Sequence, residues 1–174
     1  MKEVKIGILG LGTVGLAVAE NIEKNSGLIA EKTGIKLSVK KACEIRKVKI
    51  NLPVTKDPSE IINDPEISIV VETIGGIDPA GKLVLEALRA RKNVVTSNKE
   101  LVATKMRELL LAAELNGSQI LFEGAVGGGI PILNTLRDEL VGNKFSEIYG
   151  IVNGTTNYIL SKILVKNNIF YPLP

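Results

Sequence analysis

Three glycines near the start of the chain have the spacing of a phosphate-binding loop. The segment Gly10-Leu11-Gly12-Thr13-Val14-Gly15 follows a short apolar run and precedes residues at helical spacing. Gly10 permits a tight turn, Gly12 lets the backbone approach a pyrophosphate, and Gly15 lets the helix pack on the strand. The helix start adds free N–H groups and the positive end of its dipole. The motif therefore predicts a dinucleotide-binding loop; the alternative is a plain turn between strand and helix.

Charged residues follow the second predicted strand. Glu44 ends that strand and is the candidate for binding the ribose hydroxyls of NAD. Arg46 and Lys47 come directly after it, in a stretch from Glu31 to Lys56 that holds eight basic residues and two acids. A 2′-phosphate would be well bound there, which favours NADP over NAD. The alternative is a solvated charged surface.

Polar residues also follow the third and fourth predicted strands, in the segments Glu72-Thr73 and Thr96-Ser97-Asn98-Lys99-Glu100. Ligands of an open parallel sheet bind at the carboxyl ends of its strands, so both segments are expected at the cleft. Lys99 opens a helix, where the dipole disfavours a cation. It is therefore a candidate for substrate or proton chemistry, with a surface lysine beside Glu100 as the alternative.

Two further loops carry candidate ligands. The loop from Glu123 to Pro131 is rich in glycine and offers several carbonyl oxygens around one carboxylate, a donor set that suits a hard cation such as sodium. The loop from Asn153 to Asn157 is rich in hydroxyls and amides and suits a small polar substrate. Their alternatives are a flexible turn and a helix cap, respectively.

Composition excludes several classes of function. The 174 residues include no histidine and one cysteine, Cys43, so histidine-based catalysis, multi-cysteine metal sites and internal disulfides are excluded. A formal net charge of +3 is too small to indicate nucleic acid or a membrane surface as the main partner. No apolar run has the length of a membrane span, and the start of the chain lacks the pattern of a signal peptide. We expect a cytoplasmic protein that acts on a small molecule.

Strands and helices must alternate along the whole chain to place these residues. Apolar runs predict strands at 4–9, 37–43, 67–71, 94–96, 119–122 and 147–152. Helical spacing predicts about three turns from Val14, and further helices near residues 58, 79, 99–116, 131 and 156. This alternation predicts an α/β fold, a Rossmann-type doubly wound parallel sheet, followed by an incomplete α+β substrate domain. We expect a dinucleotide-binding domain over residues 1–141 and the start of the substrate domain over 142–174.

Taken together, five motifs resemble the homoserine dehydrogenase family. They occur in order and at natural spacings over residues 3–165: Gly10-Leu11-Gly12-Thr13-Val14-Gly15, Glu72-Thr73-Ile74-Gly75-Gly76, Val95-Thr96-Ser97-Asn98-Lys99, Glu123 to Pro131, and Val152-Asn153-Gly154-Thr155-Thr156-Asn157-Tyr158. The resemblance implies NAD(P)-linked interconversion of L-aspartate 4-semialdehyde and L-homoserine, on the route to threonine and methionine.

The resemblance also implies roles for individual residues. Those that would contact the dinucleotide are Gly12, Thr13, Val14, Thr73 and Ser97. Lys99 would lie between nicotinamide and substrate, and Gly154 and Thr155 would line the substrate pocket. The groups that would hold a monovalent cation such as sodium are Glu123 and the carbonyls of Val126, Gly128 and Ile130.

The chain departs from the family pattern after about Val165. Family members continue with a segment that supplies a Glu and an Asp for the substrate and a Lys for proton transfer, and nothing here corresponds to it. We therefore expect the cofactor half of such an enzyme with the first strand and helix of its catalytic half. The unpaired strand at 147–152 would leave an open edge, from which we expect at least a dimer.

Two alternatives stay open. The first is a dinucleotide-binding module without turnover of its own, which the missing acids and lysine favour. The second is a related reductase of another small aldehyde or imine, against which the Asn153–Asn157 loop argues.

Overall fold

The computed structural model describes residues 1–150 and 154–166, with side chains as far as residue 163. The chain divides into two compact units, one comprising Met1–Ala125 and the other beginning at Val126. The sequence places the boundary between the dinucleotide-binding domain and the start of the substrate domain at residues 141 and 142, and this boundary stays a prediction.

The first unit contains one six-stranded sheet in which every pair of neighbours is parallel. Its strands are Lys2–Leu9 (β1), Ile35–Cys43 (β2), Val54–Thr55 (β3), Ile67–Glu72 (β4), Asn93–Thr96 (β5) and Ile120–Leu121 (β6). Their spatial order is β3-β2-β1-β4-β5-β6. This is the doubly wound order, with its switch point between β1 and β4. The predicted Rossmann-type fold is confirmed, and β3 is an addition that the sequence pattern did not indicate.

Helices cover both faces of this sheet. They are Thr13–Thr33 (α1), Ser59–Ile62 (α2), Ala80–Arg89 (α3) and Lys99–Asn116 (α4). Side chains alternate between the faces of a strand, so Val70 belongs to the core shared with α2, α3 and α4, and Val71 to the core shared with α1. Both are almost fully buried, as expected for a strand in a parallel sheet.

Helix α1 is longer than predicted. It runs for 21 residues and ends where Gly34 adopts a φ of 72° and donates its N–H to the Ala30 carbonyl. The predicted length of about three turns is wrong, because the helix continues through Ser26 and Gly27. Ser26 instead donates its hydroxyl to the Leu37 carbonyl of β2, 2.7 Å away, and one glycine costs a helix only about 1 kcal/mol.

The regular elements in the described part of the second unit are helices, and the rest of its described residues form turns and irregular structure. Its elements are Ile132–Asn134 (α5), a π-helical turn over Thr135–Glu139 and Gly154–Lys166 (α6), which confirms the predicted helix starts near residues 131 and 156. The strand predicted at 147–152 is wrong over 147–150, where no strand forms. A strand needs a hydrogen-bonded neighbour, and no other strand occurs in the described part of this unit.

Several sequence predictions fall outside the described residues. These are the rest of that strand, at residues 151 and 152, Asn153 of the polar loop, and the end of the chain from residue 167. Of the helices that are described, none is long and apolar enough to cross a membrane.

Candidate dinucleotide-binding site

The glycine-rich loop lies between β1 and α1, at the carboxyl edge of the sheet. Gly10 follows β1 with a φ of 95°, a conformation that side chains disfavour, and it donates its N–H to the Cys43 carbonyl, 2.9 Å away. Gly12 precedes α1 in an extended conformation. Thr13 and Val14 are exposed in the first turn of the helix. The loop therefore presents backbone and a free helix start, the arrangement that binds a pyrophosphate.

Gly15 is the point at which α1 meets the loop. A Cβ on Gly15 would lie 2.0 Å from the Gly10 carbonyl oxygen and 2.7 Å from Oγ1 of Thr73. Thr73 in turn donates its hydroxyl to that Gly10 oxygen, 2.8 Å away, and its N–H to the Leu9 carbonyl. Only glycine fits at residue 15, and Thr73 ties the loop to the end of β4.

Glu44 and Arg46 form an ion pair beside the loop. The Glu44 side chain is 5% exposed; its Oε2 accepts the Leu11 N–H at 3.0 Å and Arg46 Nη2 at 2.9 Å, and its Oε1 accepts the N–H and Nε of Arg46. The Arg46 guanidinium holds the pKa of Glu44 at about 2, with the Leu11 N–H contributing in the same direction. The carboxylate is thus committed to protein donors, whereas the Arg46 side chain is 67% exposed.

These groups surround one cavity of about 510 Å³. The residues predicted to bind the cofactor that line it are Gly10, Gly12, Glu44, Arg46 and Thr73. Lys47 is exposed and is not among the lining residues. Two basic residues without a predicted role, Lys56 and Lys82, line it as well. Lys56 belonged to the basic stretch noted in the sequence, whereas only the fold brings Lys82 of α3 to this cavity.

Cys43 also lines the cavity. Burial raises the pKa of its thiol, and the carboxylates of Asp57, Glu44 and Glu60 raise it further. Cys43 is therefore a neutral thiol and not an activated nucleophile. Among the described residues, no three His, Cys, Asp or Glu side chains are grouped so that they could hold a metal ion.

Ser97 and Lys99 lie at the start of α4. Asn98 precedes the helix and accepts the Leu101 N–H with its side chain, which places Lys99 at the first helical position with an exposed side chain. Ser97 is half-buried, and a Cβ on Gly124 would lie 3.5 Å from its Cβ. Neither Ser97 nor Lys99 lines the cavity near Arg46, although both follow β5 at the same edge of the sheet.

The remaining predicted site residues divide between the two units. Glu123 begins a 3₁₀ turn at the end of the first unit. The second unit contains the three predicted carbonyl ligands, Val126, Gly128 and Ile130, and the two substrate residues, Gly154 and Thr155. Within it, Gly127 and Gly128 have φ values of 70° and 63°, and Gly154 and Thr155 are exposed in the first turn of α6. Their roles stay predictions.

Three features define a dinucleotide-binding domain of the Rossmann class: the order of the strands, the close packing that only glycine permits at residue 15, and the cavity beside the loop. Comparison with known proteins places it more narrowly. The model of the homoserine dehydrogenase NAD binding domain matches residues 10–123, and a second homoserine dehydrogenase model matches residues 131–171. The chain belongs to the homoserine dehydrogenase family.

Similar proteins support this assignment. Homoserine dehydrogenase of Bacillus subtilis is 40% identical over 170 residues, which are 94% of this chain and 39% of that protein. The enzyme of Synechocystis is 44% identical over 92% of this chain and 38% of its own length. The chain thus spans about two fifths of the length of the curated relatives that it matches.

Solved structures agree with the sequence relatives. A homoserine dehydrogenase from Thiobacillus denitrificans has a TM-score of 0.89 and 42% identity, covering 95% of this chain and 39% of that one. A hyperthermophilic archaeal homoserine dehydrogenase in complex with NADPH has a TM-score of 0.65 and 28% identity, covering 80% of this chain and 50% of its own.

Proposed function

We propose that this chain binds NADP or NAD and forms the cofactor-binding part of a homoserine dehydrogenase. The reaction would interconvert L-homoserine and L-aspartate 4-semialdehyde, on the route to threonine and methionine. The observation that carries the proposal is the Gly10–Gly15 loop. The close packing at Gly15 and the hydrogen bond from the Thr73 hydroxyl hold the backbone of this loop beside an open cavity. The family assignment supplies the reaction.

The residues at this loop fit a dinucleotide. Gly10 and Gly12 leave the backbone uncovered for the pyrophosphate, and Thr13, Val14 and Gly15 belong to the helix start beside it. Thr73 holds the loop from the β4 side. A bound nicotinamide dinucleotide would supply or accept the hydride of the reaction.

Arg46 supports a preference for NADP. Its guanidinium lines the cavity near the glycine loop, and a Cβ on Gly12 would lie 3.7 Å from its Nη2. Two hydrogen bonds to Glu44 hold this guanidinium in one orientation. Arg46 is therefore preorganised and loses little conformational freedom on binding a 2′-phosphate. Lys56 and Lys82 add positive charge to the same cavity, and Lys47 is the other predicted contact.

Lys99 is the proposed catalytic residue. As a cation at the start of α4, beside Ser97, it would stabilise the oxygen of the substrate while that oxygen carries negative charge. Lys99 is also the proposed contact to both cofactor and substrate. A second proton-transfer group is required for the hydroxyl proton of homoserine.

The substrate and cation sites are proposed on the resemblance alone. Gly154 and Thr155 would contact the small polar substrate. Glu123 and the carbonyls of Val126, Gly128 and Ile130 would hold a monovalent cation such as sodium, whose preference for oxygen ligands they satisfy.

A homodimer and a cytoplasmic location complete the proposal. The second unit exposes Val141, Ile148 and Tyr149 at 77%, 62% and 84%, apolar area that association would remove from water. Light scattering across a range of protein concentrations would show at least a dimer, and a monomer at every concentration would contradict this expectation.

One observation favours a second candidate function. The first unit has a complete dinucleotide loop, whereas the chain spans 39% of the B. subtilis relative. A cofactor-binding module without turnover of its own is consistent with both facts.

An activity assay separates the two candidates. The folded chain is incubated with L-homoserine and either NADP or NAD, the absorbance of the reduced cofactor is followed, and Lys99→Met is assayed beside it. Turnover that Lys99→Met abolishes supports the dehydrogenase. Dinucleotide binding without turnover supports the module, and turnover that Lys99→Met leaves intact would contradict the role given to Lys99.

A further inference from the structure

A buried chain of polar side chains joins the carboxyl end of β4 to the start of α4. It consists of Glu72, Thr96 and Asn98, which are 0%, 1% and 6% exposed. None of the three is a predicted ligand of cofactor or substrate. Buried polar groups are expensive unless they are fully bonded, so what these residues hold in place reveals their role.

Glu72 binds the loop that follows β4. Its Oε1 accepts the N–H groups of Ile74 at 2.8 Å and Gly75 at 3.1 Å. Gly75 and Gly76 both have positive φ, 84° and 70°, so the loop turns sharply directly after Thr73. The carboxylate at the end of β4 therefore fixes the course of the loop that carries Thr73.

The second oxygen of Glu72 connects this loop to β5 and α4. Glu72 Oε2 accepts the Thr96 hydroxyl at 2.5 Å, and the Thr96 oxygen accepts the Asn98 N–H at 3.0 Å. Asn98 then donates its side-chain amide to the Gly76 carbonyl at 2.6 Å and accepts the Leu101 N–H at 3.1 Å. The bonds form a closed circuit from β4 through the loop to α4 and back through β5.

This circuit requires a carboxylate at residue 72. Within the described residues, the groups that bond to Glu72 are the Ile74 N–H, the Gly75 N–H and the Thr96 hydroxyl; all three act as donors, and a carboxylate only accepts. An amide would turn an NH₂ donor toward at least one of them. The Thr96 hydroxyl donates its one hydrogen to Glu72 and accepts the Asn98 N–H with its oxygen.

We propose that Glu72 is a positioning residue for the nicotinamide side of the site. It acts directly on the segment that carries Thr73, and through Thr96 and Asn98 on the segment that carries Ser97 and Lys99. In a doubly wound sheet the dinucleotide lies across the switch point. The ends of β4 and β5 therefore face the nicotinamide half of the dinucleotide, and the end of β2 faces the other half. The inference rests on the proposed function, because Thr73, Ser97 and Lys99 are its cofactor and catalytic residues.

The test compares Glu72→Gln with a matched change at a buried side chain that bonds to the opposite end of β4. Lys92 is 8% exposed and donates to the carbonyls of Asp64 and Ile67, so Lys92→Met also removes a buried polar group attached to β4. Two quantities are measured on each variant: the Kd for NADPH, and the rate of hydrogen exchange of the Leu101 amide without cofactor. That amide bonds to Asn98 and does not touch Glu72.

Glu72→Gln is expected to raise the Kd and the Leu101 exchange rate about tenfold each, as the loss of a buried bond implies. Lys92→Met is expected to leave both within about twofold. Equal changes in the two variants, or no change in Glu72→Gln, would overturn the proposal, since the circuit would then act only on general stability.

Thr96 supplies a second and milder test. Thr96→Ser keeps the hydroxyl and is expected to behave as wild type, whereas Thr96→Val breaks the circuit with Glu72 left in place. The double variant Glu72→Gln/Thr96→Val should be no worse than the poorer single variant, because both act on one circuit. Additive effects would contradict this.

The exchange measurement separates this proposal from the proposed function. Wild-type chain that fails to bind NADPH would refute the cofactor proposal, while Leu101 exchange would still show whether Glu72 positions α4. Normal NADPH binding with unchanged Leu101 exchange in Glu72→Gln would refute the positioning role and leave the proposed function intact.

Discussion

The two sides of the carboxyl edge of this sheet are held by different interactions. At the end of β2, Glu44 is paired with the Arg46 guanidinium, which lies exposed at the cavity. At the ends of β4 and β5, Glu72 is fully buried, and in the described part of the chain its partners are two backbone N–H groups and a hydroxyl. The first carboxylate orients a guanidinium that is exposed at the cavity, and the second fixes the backbone.

This difference indicates which property of the site each side controls. An ion pair beside solvent responds to pH and to an arriving anion, so the β2 side is suited to choosing between NADP and NAD. A closed circuit of hydrogen bonds is satisfied within the protein, so the β4–β5 side is suited to holding geometry.

Gly15→Ala should disturb both sides of the carboxyl edge and have the largest effect on dinucleotide binding. The new Cβ would meet the Gly10 oxygen at 2.0 Å and Thr73 Oγ1 at 2.7 Å, so α1 must move away from the loop and from Thr73. We expect the Kd for NADPH, measured by calorimetry, to rise by a factor on the order of 100, as a backbone clash of this kind costs several kcal/mol.

Gly27→Ala is the matched control in the same helix. A Cβ there meets nothing within 4 Å, so the change should leave the Kd unaltered and raise the free energy of unfolding by about 0.5 to 1 kcal/mol. Tight NADPH binding by Gly15→Ala would show that the loop does not contact the dinucleotide as proposed.

A pH titration of stability should sharpen the contrast on the β2 side. The pKa of Glu44 is lowered from 4.5 to about 2, so its ion pair stabilises the fold fully above pH 4.5 and is lost as the pH falls toward 2. Between pH 6 and pH 3, the advantage of wild type over Glu44→Gln in urea unfolding should shrink by about 1 to 2 kcal/mol, after a discount for the exposed Arg46. An advantage that does not change with pH would mean that Glu44 is not held ionised by Arg46.

Arg46→Gln should change the choice of cofactor. We expect the Kd for NADPH to rise about tenfold and that for NADH to change less than twofold, because only NADPH has the 2′-phosphate that the guanidinium binds. Lys49→Gln is the control from the same basic stretch: Lys49 is exposed, does not line the cavity and has no proposed contact to the cofactor, so the change should alter either Kd less than threefold. Equal loss of both dinucleotides in Arg46→Gln would assign Arg46 a structural role.

The smallest effect is expected at the start of α4. Asn98→Ala removes the acceptor for the Leu101 N–H and should lower the free energy of unfolding about 1 kcal/mol more than Asn98→Ser, whose hydroxyl can still cap the helix. The loss that remains in Asn98→Ser reports the bond to the Gly76 carbonyl. Equal stability of the two variants in urea would show that the cap does not hold α4.

The sequence was sufficient for features that local chemistry determines. The glycine loop, the five strands β1, β2, β4, β5 and β6, and the end of α4 at Asn116, where Gly117 has a φ of 65°, were predicted because each depends on a few adjacent residues. The same applies to Thr73, which directly follows β4, and to Arg46, which lies three residues after the end of β2; both line the cavity.

Features that join distant residues were not predictable in this way. Nothing in the segment 72–76 shows that Glu72 faces Thr96, 24 residues away, because that contact arises only when β4 and β5 pair. Lys82 reaches the cavity for a similar reason, through the placement of α3. The continuation of α1 through Ser26 likewise depends on a bond to β2.

The most direct test of the central claim is calorimetric titration of the folded chain with NADPH and, separately, with NADH. The account predicts saturable binding of one dinucleotide per chain, with the lower Kd for NADPH. Absence of binding by a chain that is folded by circular dichroism would contradict it, and the loop at Gly10–Gly15 would then be a turn between strand and helix and nothing more.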